Sequence, residues 1–308
     1  MSTPEGFREE LLQAGLLVDG GVPGVYHRSF RYEAIVRGVQ AYVSAPASGE
    51  SFAQLALPPV QARSTLEKSG YVSSFPNLLG LVSSFAGTEK EVSAFLEETD
   101  AGGDWMERMT PTDVALCSAA CHGLYPMLAG SSLPAEGRRF EVHAWCFRHE
   151  PSADPARMQA FRMHEFVYLG TPGGAEAHRE AWIGRATELL EGLGLAVDVV
   201  PANDPFFGRA GRLLASNQRT KELKYELVAP ISSEAPGAIS SGNYHEDHFG
   251  SAFDLRVDEE VAHSACFAFG LDRISLALLF RHGLDIEAWP ADVLRRLTTV
   301  DADARAAT

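Results

Sequence analysis

The stretch CFRHEPSADPARMQAFRMHEF, residues 146–166, decides how this chain is read. Two alternating runs, CFRHE (146–150) and FRMHEF (161–166), flank the loop PSADPARMQA, whose Pro, Ser and Asp are turn residues. The pattern predicts a strand–loop–strand hairpin that holds charges at a fixed separation. Arg148 supplies a planar donor fork suited to a phosphate, Glu150 can accept from an amine, and Arg157 on the loop can swing over outer phosphates. Phe166 offers a face on which a purine could stack. A solvated hairpin with cross-strand ion pairs would give the same spacing.

Downstream, FAFGLDRISLALL (267–279) reads as a strand running through Gly270 into a helix, with Arg273 on the first helical turn, where it can meet phosphate. The plainer reading is that Gly270 permits the turn and Arg273 caps a neighbour. Glu165 and Cys266 lie in or beside these segments and Cys121 lies upstream in AACHGLYP, with separations of 44 and 101 residues. Two thiolates and a carboxylate would make a three-ligand zinc site with an open fourth position, the catalytic arrangement, at separations that are not those of a zinc finger. Buried free cysteines are the competing account.

Composition narrows the classes. The 308 residues are 45% hydrophobic and 22% charged, which suits a globular protein and excludes wholesale disorder. Twenty-six Lys and Arg against 41 Asp and Glu leave a net charge of -15, which disfavours a broad nonspecific nucleic-acid surface. Four cysteines do not make a disulfide scaffold. No apolar run approaches a membrane span and MSTPEGFREE does not read as a signal peptide, so the expected location is cytoplasmic, with no membrane partner.

Along the chain, a short helix FREELLQAGLL opens a small N-terminal region, residues 1–55, in which EAIVRGVQAYVS alternates like a strand. VQARSTLEKSG then predicts a helix ended by Gly70, YVSSFP an extended edge strand limited by Pro76, and GTEKEVSAFLEE a helix capped by Thr88. RRFEVHAWCFRHE alternates as a strand, and AEAHREAWIGRATELLEGLGL is an amphipathic helix. Further strands are expected at 196–200, 223–229, 252–256 and 262–269. Strands gathered after residue 110, with helices set irregularly between them, predict an α+β fold: an antiparallel sheet flanked by helices, in one catalytic domain over 56–308.

In this order, FR-H-E, R-M-H-E-F and G-L-D-R resemble motifs 2 and 3 of class II aminoacyl-tRNA synthetases, and EKSGYVSSFPNLLG with Pro76 resembles motif 1. LKYELV (223–228) and AISSGNYHEDHFG (238–250) resemble segments of seryl-tRNA synthetases, and AACHGLYP resembles the zinc-ligand segment of the atypical, zinc-dependent members. The likeness covers roughly residues 55–285. A seryl-tRNA synthetase carries a long N-terminal tRNA-binding arm, whereas the fifty residues before this core are neither basic nor heptad-patterned. The chain therefore most resembles the amino acid:carrier protein ligases, which load glycine or alanine onto the phosphopantetheine thiol of a small carrier.

That resemblance implies that Arg148 holds the α-phosphate of ATP, Glu150 meets the adenine side, Arg157 and Met158 border the nucleotide, Phe166 stacks on adenine, and Arg273 holds the far phosphates. It puts Lys224 and Glu226 by ATP and its Mg²⁺, Ser240 and Ser241 by the amino acid, and zinc on Cys121, Glu165 and Cys266, where it takes the substrate's amino group. Ala238 stands where seryl enzymes usually have a metal-holding glutamate. A homodimer through the motif 1 segment is implied, with no tRNA partner. The helices near 178–192 and 205–222, the latter with Arg209, Arg212, Arg219 and Lys221, are candidate docking faces for the carrier. The alternatives are a tRNA-charging seryl-type synthetase acting with a partner and a noncatalytic amino-acid-sensing paralogue.

Overall fold

A computed structural model describes residues 3–204 and 221–306. Seven strands build the central sheet: β1 (Ala53–Ala56), β2 (Arg138–Phe147), β3 (Ala160–Gly170), β4 (Asp198–Pro201), β5 (Lys224–Pro230), β6 (Pro236–Tyr244) and β7 (His263–Gly270). Their order is β4-β5-β6-β7-β3-β2-β1. Every neighbouring pair is antiparallel except β1, which lies parallel to β2. The 146–166 hairpin thus sits inside the sheet, and the expected α+β class is the observed one.

The pleat assigns the two faces. In register, Phe267 opposes Phe166 while Ala268 opposes Glu165, so the phenylalanines share one face and the carboxylate the other. The phenylalanine face is covered by α2 (Phe30–Ser44), α4 (Pro172–Gly192) and α6 (Leu271–His282), in a cluster that includes Trp182, Val36, Val39 and Leu278. The other face carries a second cluster, including Val142, Val167, Tyr125 and Phe249, and the cleft described below. With both faces covered, six consecutive residues of β7, Ser264–Phe269, are buried.

The N-terminal residues belong to the same core. Helix α1 (Pro4–Gln13) contributes Phe7 and Leu11, and α2 contributes Tyr32, Ile35, Val36, Val39 and Val43. Gly38 of α2 lies under the final helix, α7 (Ala291–Ala306), where a Cβ would stand 2.7 Å from the Leu297 carbonyl oxygen. Strand β1 straddles the expected boundary at 55/56 and closes the sheet edge against β2.

Three local expectations are corrected, and one strand was not expected. EAIVRGVQAYVS is helical, not extended: Ser29 accepts from the Tyr32 amide as N-cap, and the buried positions 32, 35, 36, 39 and 43 follow a 3.6-residue period. YVSSFP is not an edge strand but a helical turn, Tyr71–Ser74, followed by a 3₁₀ turn from Pro76. The stretch 252–256 is divided between α5 (His248–Phe253) and a two-residue strand from Arg256. Pro236–Tyr244, which had no expected structure, is a central strand. Thr88 does open a helix, α3 (Glu89–Asp100), through a capping box with Glu91. This helix accompanies a separate sheet of Val60–Ala62, Met109–Leu116 and Leu81–Phe85. Of the proposed docking helix at 205–222, residues 205–220 lie outside the described residues; Lys221 pairs with Glu246 at 2.9 Å.

Candidate active site

A cleft of about 420 Å³ opens on the non-phenylalanine face of the sheet. Its floor follows from the register. Glu165 of β3, Ala268 of β7, and Ser241 of β6 are successive cross-strand partners, and Glu226 of β5 opposes Ser241. Lys224 opposes Asn243, which in turn opposes Cys266. Six chemistry-bearing residues from four strands are therefore delivered to one surface by pleating alone.

Cys121, Glu165 and Cys266 meet there, each with a ligand atom within 4.8 Å of the others, and all three are buried. Cys121 arrives on a 3₁₀ turn whose amides anchor the carboxylate: Ala120 N–H and Cys121 N–H donate to Glu165 Oε1 at 2.8 and 3.3 Å. Glu165 Oε2 is buried with no hydrogen-bond partner, an orphan that a cation would satisfy. Its proton affinity is raised by burial, although hydrogen bonds from Cys121 and Ala120 oppose this. The Cys121 thiol is pushed well up by its hydrogen bond with Cys266, by burial and by the Glu165 charge. A hydrogen bond from Cys121 lowers the proton affinity of Cys266, but burial and Glu165 outweigh it. The trio thus brings two thiols and one carboxyl together in a buried setting that raises the proton affinity of each. Around it, Asn243 Nδ2 and His245 Nε2 each lie 3.6 Å from Cys266 Sγ, and burial lowers His245 to about 3, so its ring stays neutral.

About 13 Å along β7 from Cys266, at roughly 3.3 Å per residue, Gly270 turns the chain into α6 and Arg273 enters the cleft. Its Nε donates to the Ala156 carbonyl at 2.9 Å and its Nη1 to the Ala238 carbonyl at 3.1 Å. Burial lowers its pKa and the nearby cations Arg148 and Arg157 lower it further, which marks a site short of negative charge. Arg148 donates to the Ser118 carbonyl at 3.3 Å and lies over the Phe161 ring at 5.4 Å. Arg157, mostly exposed, reaches Glu150 at 3.7 Å. Lys224 pairs with Asp204 at 2.6 Å and Glu226 at 3.0 Å; these two carboxylates overcome the effect of burial and raise its pKa.

Next to Arg273, Asp272 also borders the cleft, but its carboxylate is held by side chains of the fold. It binds Arg28 and Arg162 at 3.1 and 2.9 Å and receives the Tyr32 hydroxyl, so this buried carboxylate is structural.

Of the expected site residues, Cys121, Glu165, Cys266, Arg148, Glu150, Met158, Lys224, Glu226, Ser240, Ser241 and Arg273 line one cleft, as does Ala238, whose methyl offers no ligand oxygen. Ser240 opposes Phe269, so the pleat turns its side chain from the face that carries Ser241. Phe166 is corrected. It is fully buried on the helix side, its ring stacked on Trp182 at 3.7 Å, and it cannot stack on a nucleotide in the cleft. Phe161, two pleats from Glu165, lines the cleft beneath Arg148 on the opposite face from Phe166. The sequence reading missed it, together with Asn243 and His245. Counting in twos from Glu165 would have found Phe161.

The sheet, the cleft and the arginines entering from its hairpin and from α6 define a class II synthetase core. No protein-family model matches the chain. M. kandleri SerRS, solved with A. aeolicus tRNASec, superposes with a TM-score of 0.82 at 20% identity, covering 95% of this chain and 60% of that one. Seryl-tRNA synthetase from Pyrococcus horikoshii, complexed with ATP, gives 0.66 at 15% identity over 89% and 58%. These identify the fold. Amino acid–acyl-carrier-protein ligase 1 of Bradyrhizobium diazoefficiens is 46% identical over 276 residues, 89% of this chain and 84% of the relative. Ligase 2 of the same organism is 44% identical over 95% and 88%. The chain belongs to the amino acid–acyl-carrier-protein ligase family and is an enzyme of the ligase class. A type-2 serine–tRNA ligase of Methanopyrus kandleri is more distant, at 28% identity over 63% of this chain.

Proposed function

We propose that this protein activates a small amino acid with ATP as its aminoacyl-adenylate and transfers it to the phosphopantetheine thiol of a carrier protein. The observation that carries the reading is one cleft lined by both an anion-seeking set, Arg148 and Arg273, and a buried Cys121, Glu165, Cys266 trio with an orphan oxygen. The span of about 13 Å between Cys266 and Gly270 suits an amino acid in line with a nucleotide phosphate.

The substrate carboxylate is already ionised, so its oxygen attacks the α-phosphorus without a general base. The new C–O–P bond forms as the bond to pyrophosphate breaks. Arg148 and Arg273 meet the charge on the α- and outer phosphates, and Arg157 closes over the outer ones. Phe161 takes the adenine stacking role, Glu150 accepts from the adenine amine, and Met158 borders the base. Glu226, paired with Lys224, is a cleft carboxylate available to the Mg²⁺ that accompanies ATP. Cys121, Glu165 and Cys266 would hold zinc, which when bound supplies a Lewis-acid position for a neutral amine. Ser241 faces the bound amino acid. The carrier thiolate then attacks the carbonyl carbon, forming the thioester and releasing AMP.

A net charge of -15 supports a protein acceptor rather than tRNA. Four buried free thiols suit the cytoplasm. The exposed Leu81, Leu96, Trp105 and Met106, on or beside the small sheet of the motif 1 lobe, support a homodimer through that lobe.

Pyrophosphate exchange across all amino acids, followed by mass spectrometry of a holo carrier protein incubated with the best substrate, tests the reading. Exchange with a small amino acid and a matching mass gain on the carrier are expected. No exchange with any amino acid would sink it.

A further inference from the structure

The loop between β2 and β3 carries Arg157 and Met158, yet it lies on the rim of the cleft, with Arg157 reaching solvent. A loop that meets a nucleotide must be held from behind, or its ordering is subtracted from the affinity. The holder comes from the start of the chain. A short hairpin pairs Leu17–Asp19 with Tyr26–Arg28, and its turn presents the carbonyls of Pro23 and Gly24 to Gln159.

Gln159 is 4% exposed. Its backbone N–H donates to the Gly24 carbonyl at 2.8 Å, and its Nε2 donates to the Pro23 carbonyl at 2.8 Å. Its own carbonyl accepts from the Arg148 N–H at 2.9 Å, closing the base of the loop. Gly24 has φ of +78°, and a Cβ there would stand 3.1 Å from the Arg157 carbonyl oxygen and 3.3 Å from Gln159 Cγ. Arg28, from the same hairpin, donates to the Ala160 carbonyl at 2.6 Å. On the opposite side, Arg273 holds the Ala156 carbonyl and Ser232 holds Asp154.

We propose that the turn at residues 20–25 is the abutment of the nucleotide loop, and that Gln159 is the positioning residue through which it sets Arg148 and Arg157 before ATP arrives. The consequence for ATP rests on the adenylation reading; the mechanical link does not.

Three variants separate the two. Gln159→Glu keeps the size and the backbone bonds but replaces the Nε2 donor with an oxygen facing the Pro23 carbonyl. Gly24→Ala strains φ and presses on Arg157. Gly21→Ala is the control: its φ is +77°, so it carries the same backbone strain, but its Cβ would meet nothing within 4 Å. Amide hydrogen exchange of residues 148–160 is measured without ATP, and KM values for ATP and for the amino acid by pyrophosphate exchange. Gln159→Glu and Gly24→Ala are expected to speed loop exchange and raise KM for ATP about tenfold, the factor given by about 1.4 kcal/mol. The amino-acid KM and the metal content stay unchanged, and Gly21→Ala lowers Tm without either effect. Loop exchange that is unchanged in both test variants, or raised equally in Gly21→Ala, overturns the proposal. Faster loop exchange with an unchanged KM for ATP sustains the abutment and overturns the ATP reading of the loop.

Discussion

Phe161 and Phe166 lie five residues apart on one strand and should fail in opposite ways. Phe166 is fully buried, stacked on Trp182, and edge-on to Phe52 and Phe269 at 5.5 and 6.2 Å. Phe166→Ala leaves a ring-sized void in the largest cluster, and such truncations cost about 3–5 kcal/mol. At roughly 2–3 °C per kcal/mol for a chain of this size, Tm falls by about 6–15 °C, while KM for ATP in the surviving folded enzyme is unchanged. Phe161→Ala removes a half-buried ring that faces the cleft under Arg148. Stability changes little there, but the loss of base stacking, about 1–3 kcal/mol, raises KM for ATP roughly 5- to 150-fold. Thermal unfolding and pyrophosphate exchange on both variants read the two effects. A raised ATP KM in Phe166→Ala with an unchanged Tm, or an unaltered ATP KM in Phe161→Ala, would refute the face assignment.

Cys121→Ala should abolish stoichiometric zinc by elemental analysis, and retained zinc would remove Cys121 from the ligand set. Arg273→Lys keeps the charge but loses the fork that spans the Ala156 and Ala238 carbonyls, so adenylate formation should slow about 100-fold; an unchanged exchange rate contradicts that role. His178 is buried beside Trp182 with its Nε2 3.0 Å from the Phe166 carbonyl, and burial lowers it to about 4. The unfolded chain, with imidazoles near about 6.5, binds that proton first as pH falls. Stability present above pH about 6.5 is therefore lost down to about 4, by roughly 3 kcal/mol for this group. Urea unfolding of His178→Gln should show a shallower loss over that window, and an identical pH slope would rule the histidine out.

The part of the fold that was legible in the sequence was the part with a strong short-range signal. RRFEVHAWCF alternates cleanly, and Gly270 followed by LDRISLALL marks a strand-to-helix junction that the structure places there. EAIVRGVQAYVS misled because its β-branched and aromatic residues favour strand locally, while the partners that make it helical, on α6 and α7, lie more than two hundred residues away. In the cleft, the residue types were readable and their facing was not fully so. Glu165 and Phe166 are neighbours in one motif, yet the pleat sends them to opposite sides of the sheet. Gln159 carried no signal at all, because its meaning depends on a turn at Pro23 and Gly24 that meets it only in three dimensions.

The tie between Arg28 and Asp272 spans 244 residues, and that from the Tyr32 hydroxyl to Asp272 spans 240. A ribosome adding about 5–20 residues per second takes roughly 12–50 s to produce the second partner after the first. Throughout that interval, Val36, Val39 and Val43 are on a nascent chain without the C-terminal helices that cover them. Production of this enzyme should therefore be sensitive to chaperone supply and growth temperature well before any difference in the stability of the finished molecule is felt.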